Sequence, residues 1–233
     1  MTQTPNQKRQ RGRPSRISRE AIARAALDMG VGQATIPAIA AHLKVDHSSL
    51  YHYVKGRNEV VTMAADLAIN ELDWRAPEAT NWRDELIILT DAIWVLYDRN
   101  PGLAEAIRQA NITPSSGILS FAESVKKLQQ KGFSLKDAVV AVDVLVDMVG
   151  ECFLGWWSTD KAEEDGRTRK ERIIAIWQAE ARNVPEKAEQ INAMIDIMQG
   201  GRRSWWESKR DLVLEGIMVT QAQNSKMLGK AQT

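Results

Sequence analysis

No histidine follows residue 52, and Cys152 is the chain's single thiol. The first absence bars any Ser-His, Cys-His or mixed histidine–carboxylate site from the rest of the chain. The second bars an internal disulfide and fits a reducing cytoplasm, the expected compartment. No apolar run approaches the ~18 residues that would span a membrane, so no membrane partner is expected. The N-terminus is polar and arginine-rich with no apolar segment behind it, which does not read as a secretory signal. Glycine and proline number 14 and 7 in 233 residues, and they fall at breaks such as Gly30, Gly56, Pro101, Gly132 and Pro185. No alternating apolar–polar stretch of useful length and no internal repeat occurs. The expected fold is therefore all-α. At 44% hydrophobic residues the chain can bury a sizeable core.

What is present is unevenly spread. Residues 1–60 hold ten Lys/Arg against four acids, or +6, and the remaining 21 bases and 26 acids give −5. All three histidines (His42, His47, His52) also lie in that first stretch. A basic head on a mildly acidic body points to a polyanionic partner for the head.

The organisation reads as three parts: a basic flexible arm (1–16), a helix-turn-helix domain (17–64) and a larger helical ligand-binding and dimerisation domain (65–233). In the head, Ser18, Thr35 and Asp46 are placed to cap helices over 18–29, 35–43 and 47–54. Pro37 falls in a first turn, where its missing N–H costs nothing. A longer helix follows from about Arg57 to residues 72–74. In the body, helices are expected from Trp82, over a short segment from Pro101, over 115–131 and over 134–157 behind Ser134. Residues 158–170 read as a loop, and helices near 170–182, 186–199 and 202–222 finish the chain. The 134–157 helix is apolar on two sides and needs cover on both.

The third head helix is the candidate recognition helix. Ser48, Tyr51, His52 and Lys55 fall within about 60° of one line on a helical wheel, and Leu50 and Val54 fall opposite. One face anchors; the other offers a hydroxyl, a phenol, an imidazole and an ammonium to phosphates or base edges. Lys55 and Arg57, at the start of the next helix, are placed to grip backbone phosphates. His47 and His52 are about 140° apart around such a helix, so adjacent-turn chelation does not fit and no metal is expected.

These residues carry a resemblance. The stretch "TIPAIAAHLKVDHSSLYHYVKGRNEVV", within residues 17–64, resembles the DNA-binding domain of the TetR family of bacterial transcriptional regulators. The matching features are the small Ala40, Leu43, Val45, the Leu50–Tyr51 pair and the basic Arg57. The closing "WWESKRDLVLEGI" resembles the family's last dimerisation helix more loosely. The resemblance implies a homodimer on a near-palindromic double-stranded operator, released by a small-molecule effector, without cofactor. Carried over by position, Thr35 and Tyr51 correspond to backbone contacts. His47, Ser48, Ser49 and His52 correspond to base-facing positions, Tyr53 to a flank or phosphate contact, and Arg57 to a phosphate contact. Two positions depart. Pro37 stands where some members place a base-reading arginine. Lys44 replaces the usual turn glycine, at about 1 kcal/mol if that residue is left-handed.

The arm "QRGRPSR" resembles an AT-hook core. Arg11 and Arg13 could enter a narrow minor groove, or the arm could hold phosphates without reading sequence. In the body, Trp94, Tyr97, Phe121, Met148 and Cys152 are candidate ligand contacts, the effector being small and apolar or amphipathic. Asp143, Asp147 and Glu151 recur every fourth residue, a pattern that suits a solvated face or a Mg²⁺ site. The main expectation is a ligand-responsive repressor rather than an enzyme. The alternatives are an all-α enzyme or ligand carrier with a basic head, and a DNA-binding architectural protein without ligand.

Overall fold

Side-chain oxygens open the helices where the sequence places them. Ser18, Thr35, Asp46 and Ser134 accept the backbone N–H of Ala21, Ala38, Ser48 and Asp137 respectively. Asn81 and Thr168 do the same for Asp84 and Glu171, the latter as a full capping box. The structure, a computed structural model, describes residues 17–72, 79–110, 112–160 and 162–231. Arg11 and Arg13 lie outside the described residues.

The helices run α1 Arg19–Asp28, α2 Ile36–Leu43, α3 His47–Leu50, α4 Arg57–Asn70, α5 Trp82–Arg99 and α6 Leu103–Ala110. They continue as α7 Ser115–Gln130, α8 Leu135–Thr159, α9 Arg169–Asn183, α10 Ala188–Gln199 and α11 Arg202–Ala231. Short 3₁₀ turns occupy Val31–Gln33 and Pro185–Lys187. No strand occurs among the described residues; one isolated bridge joins Ala162 to Thr168. The fold is all-α, with a helix-turn-helix at its N-terminal end. No helix among the described residues is long and apolar enough to cross a membrane.

Two boundaries differ from the sequence reading. The third head helix, expected over 47–54, closes after Leu50. There the bonding tightens: the N–H groups of Tyr51 and Tyr53 reach back three residues, to Ser48 and Leu50. Residues 51–53 continue as a turn, so the α-helical wheel overstates the regularity of that segment. The last helix, expected to end near 222, runs to Ala231. Neither proline nor a left-handed residue interrupts it.

Two apolar clusters form the interior. One joins the head to its neighbours: Ile22, Ile39, Leu50, Val60 and Ala64 pack with Leu96, Leu103 and Ala106 of α5 and α6. The other, centred on Leu86, Leu145, Val149, Phe153 and Trp206, is built from α5, α7, α8 and α11. Tyr97 touches both. Polar ties bind the helices further. Asp91 Oδ1 accepts from both Arg203 and the nearly buried Arg210, at 2.6 Å for the latter, joining α5 to α11. Asp66 of α4 accepts the backbone N–H and the hydroxyl of Ser116, at 2.8 and 2.7 Å. A carboxylate at the first turn of α7 meets unpaired N–H groups.

Candidate nucleic-acid interface and adjoining cavity

The turn between α2 and α3 is set by Lys44. Its φ of 56° and ψ of 48° are left-handed. The N–H of Val45 reaches Ala40 O at 3.0 Å, and that of Lys44 reaches Ala41 O at 3.1 Å. This pair of bonds is a Schellman closure, with lysine where glycine is favoured. The conditional strain foreseen in the sequence is therefore present.

Asp46 then turns the chain into α3. Its carboxylate accepts the Ser48 N–H at 2.8 Å. Hydrogen bonds from Ser48 hold the Asp46 carboxyl below its ordinary range, with His47 adding a smaller attraction. Leu50 and Val54 are buried at 0% and 1% exposure, and they pin the segment to the head core. His47, Ser48, Tyr51, His52 and Lys55 are exposed, Tyr51 at 57%. These five side chains are thus all solvent-exposed around the anchored segment. Ser49 and Tyr53 are half-buried, and Tyr53 packs against the head core. Thr35 spends its hydroxyl on the α2 cap while remaining exposed.

The next corner is fastened by residues that the sequence reading counted only as charge. Arg19 donates to the carbonyl of Tyr53 and pairs with Glu59 at 2.6 Å. Glu59 also accepts the Lys55 N–H at 2.7 Å, and these contacts, the Lys55 bond first, hold its carboxyl below the ordinary range. Arg24 pairs with Glu71 in the same way. Nothing in the sequence links Arg19 to a carbonyl 34 residues away. Lys44 and Lys55 make no ion pair with a carboxylate among the described residues.

Arg57 stands apart from the exposed set. Its guanidinium is half-buried and donates to the carbonyls of Val31 and Gly32, at 3.3 and 3.5 Å. The phosphate role implied by the resemblance would require that fork to leave the neck between head and body.

Behind the head, α4, α5, α6, α7 and α8 enclose a cavity of about 570 Å³. Ile69, Ile93, Tyr97, Ile107 and Phe121 line it, and Asp147 is its one charged residue among those described. Burial pushes the Tyr97 phenol above its ordinary pKa. Of the five candidate ligand residues, Tyr97 and Phe121 meet here. The other three lie elsewhere. Trp94 is packed between Phe153 and Trp206, its ring centroid 5.2 and 6.4 Å from theirs. Met148 packs against the body cluster, and Cys152 lines a second cavity on another side of α8. The carboxylate series Asp143, Asp147 and Glu151 is exposed, and no metal-binding cluster occurs among the described residues.

No family model matches the chain. Over 146 residues it is 27% identical to an HTH-type transcriptional repressor of Mycobacterium tuberculosis. That match covers 58% of this chain and 56% of the relative, so the chain spans little more than half the relative's length. Among solved structures, apo ActR of Streptomyces coelicolor superposes with a TM-score of 0.74 at 16% identity, covering 90% of this chain and 99% of ActR. ActR, a TetR family protein, in complex with actinorhodin gives 0.71 at 17% identity, with 88% and 97% covered. TetR from Acinetobacter baumannii gives 0.61 at 15% identity, with 88% and 98% covered. At these identities the likeness is one of architecture.

Proposed function

We propose, from the TetR-family fold that this chain has, that it is a ligand-responsive DNA-binding transcriptional regulator acting as a repressor. The observation that carries this is the split recognition segment. Leu50 and Val54 are sunk in the core, while His47, Ser48, Tyr51, His52 and Lys55 are turned outward beside a left-handed lysine. Such a surface suits phosphates and major-groove base edges. The likeness to a mycobacterial repressor and to ligand-bound ActR supports the reading.

The partners follow from the same surfaces. Val140, Val144, Leu212 and Val219 are exposed apolar residues on α8 and α11, and a second copy is their proposed cover. A dimer would place two recognition segments about one DNA turn apart, ~34–36 Å, over a near-palindromic operator. The arm with Arg11 and Arg13 would add contacts to the adjoining DNA. The division into a head at 17–64 and a body at 65–233 belongs to this proposal, as does a cytoplasmic location.

The effector would occupy the 570 Å³ cavity. Its apolar lining and single rim carboxylate suit a small apolar or amphipathic molecule rather than a bare anion. Coupling to DNA would run along α4. That helix starts at Arg57, beside the recognition segment, and ends with Ile69 in the cavity wall, about 20 Å on. A ligand that prefers another tilt of α4 lowers operator affinity by population shift.

The test is a gel-shift on the DNA upstream of the protein's own gene, over a salt series and with a metabolite panel. Binding that falls steeply with salt and is relieved by a panel member is expected. Affinity that stays flat from low to moderate salt would overturn the proposal.

A further inference from the structure

The second cavity has a different chemistry. It measures about 550 Å³ and is walled by α8, α9, α10 and α11. Three indoles face it: Trp156, Trp177 and Trp205, joined by Met194 and Ile197. Its one basic lining residue among the described residues is Lys209. That ammonium lies 4.6 Å from the Trp205 ring centroid and 3.8 Å from Cys152 Sγ, and it makes no ion pair among the described residues. A second ammonium, that of Lys170, sits 5.5 Å from the Trp156 ring centroid. The one acid of the lining, Glu151, is exposed, where water screens it.

The hairpin that closes this cavity is weakly held. None of the α9 residues is buried, and on α10 only Ile195 is. The two helices pack mainly on each other and meet α8 and α11 at few points. A molecule filling the space would gain indole faces on several sides and would tie the hairpin to the body.

We propose that this cavity is a second small-molecule site, separate from the effector cavity, for a planar aromatic anion. Its rings would stack on the indoles. Its carboxylate, sulfonate or phenolate would pair with Lys209, whose ammonium meets a ring face and a thiol among the described residues. The volume falls within the range of drug-sized ligand sites. The cavity shares no lining residue with the effector cavity, whose single charged group is acidic rather than basic.

The experiment uses the full chain and two probes that differ by one charge, an anilinonaphthalene sulfonate and its uncharged parent N-phenylnaphthylamine. Probe fluorescence and tryptophan quenching are titrated. The wild-type chain is expected to bind the sulfonate with quenching. Lys209→Met is expected to weaken the sulfonate about tenfold and to leave the parent within about twofold. Met194→Glu changes an exposed wall residue, so the fold is retained, and it is expected to act in the same direction. Phe121→Ala, in the other cavity, is expected to leave the sulfonate unchanged. Absence of sulfonate binding, indifference to both charge variants, or loss with Phe121→Ala overturns the proposal. A change of oligomeric state in Met194→Glu, read by sedimentation, also overturns it, because a second copy of the chain would then cover the cavity.

Discussion

Gly102, at the start of α6, lies directly against Gly32 of the head. A Cβ on Gly102 would sit 2.8 Å from the Gly32 backbone nitrogen. Gly102 also has a φ of +82°. Backbone therefore meets backbone at the neck, next to the two carbonyls that Arg57 holds.

Gly102→Ala is expected to be costly for both reasons. The left-handed φ and the collision with immovable backbone together should destabilise the chain by about 1–3 kcal/mol. Urea unfolding measures this. An Ala variant as stable as wild type would mean that head and body do not pack as closely as the structure places them.

Lys44→Gly should go the other way. Glycine adopts the left-handed conformation without the Cβ penalty, but it has more freedom to lose on folding. A net gain of about 0.5–1 kcal/mol is expected in equilibrium unfolding. A loss of stability would show that the lysine stem compensates the strain.

Tyr51→Ala and His52→Ala should separate binding from folding. Both side chains are exposed, so the melting temperature should hold. Operator affinity should fall by about 1–3 kcal/mol for a contact of this kind. Leu50→Ala removes an anchor at 0% exposure and should destabilise by about 2–5 kcal/mol. Fluorescence anisotropy beside thermal melts gives both readings.

Lys55 and Arg57 should behave differently in salt. Lys55→Ala should lower the slope of log affinity against log salt by about one. Arg57→Ala should leave that slope nearly unchanged, because its guanidinium faces the carbonyls of Val31 and Gly32. Equal slope changes would place Arg57 on the DNA.

The corner at Glu59 makes the head acid-sensitive. Its folded pKa is lowered from the ordinary 4.5 by the Lys55 N–H and Arg19. A depressed carboxylate contributes stability above its unfolded pKa, and that contribution is lost as pH falls through the folded value. Asp46 and Glu71 are shifted in the same direction, by Ser48 and Arg24 respectively. Stability should therefore be level near neutrality and decline below about pH 4.5. Glu59→Gln should lower the neutral plateau and flatten part of the decline, which denaturant midpoints across pH measure.

Much of the fold was legible because it is local. Ser18, Thr35, Asp46 and Ser134 act within their own first turns, and short-range spacing finds such caps. Lys44 stood out through the family resemblance, as a lysine where the turn glycine is usual; its left-handed backbone was a condition there and is observed in the structure. The exposed set on the recognition segment was readable because burial of Leu50 and Val54 follows from a simple alternation of faces, even though the α-helix itself closes early. What was hidden depends on distance along the chain. Arg57 bonds carbonyls 25 and 26 residues back, and carbonyls leave no side-chain pattern. The five candidate ligand residues divide among two cavities and the core, because α8 presents several sides to different neighbours. No periodicity within one helix says which neighbour each side will meet.

The head does not own its interior. Leu96, Leu103 and Ala106 complete the same cluster as Ile22, Ile39 and Leu50, and α4 threads through all of it. A cut after residue 64 would sever α4 and strip the head of six buried partners: Ala65, Ala68, Ile69, Leu96, Leu103 and Ala106. If the head reads DNA as proposed, it is not a cassette that can be lifted out and grafted onto another body. A working chimaera would have to carry α4 whole, with the opening of α6 and the end of α5, so its natural seam lies inside the body.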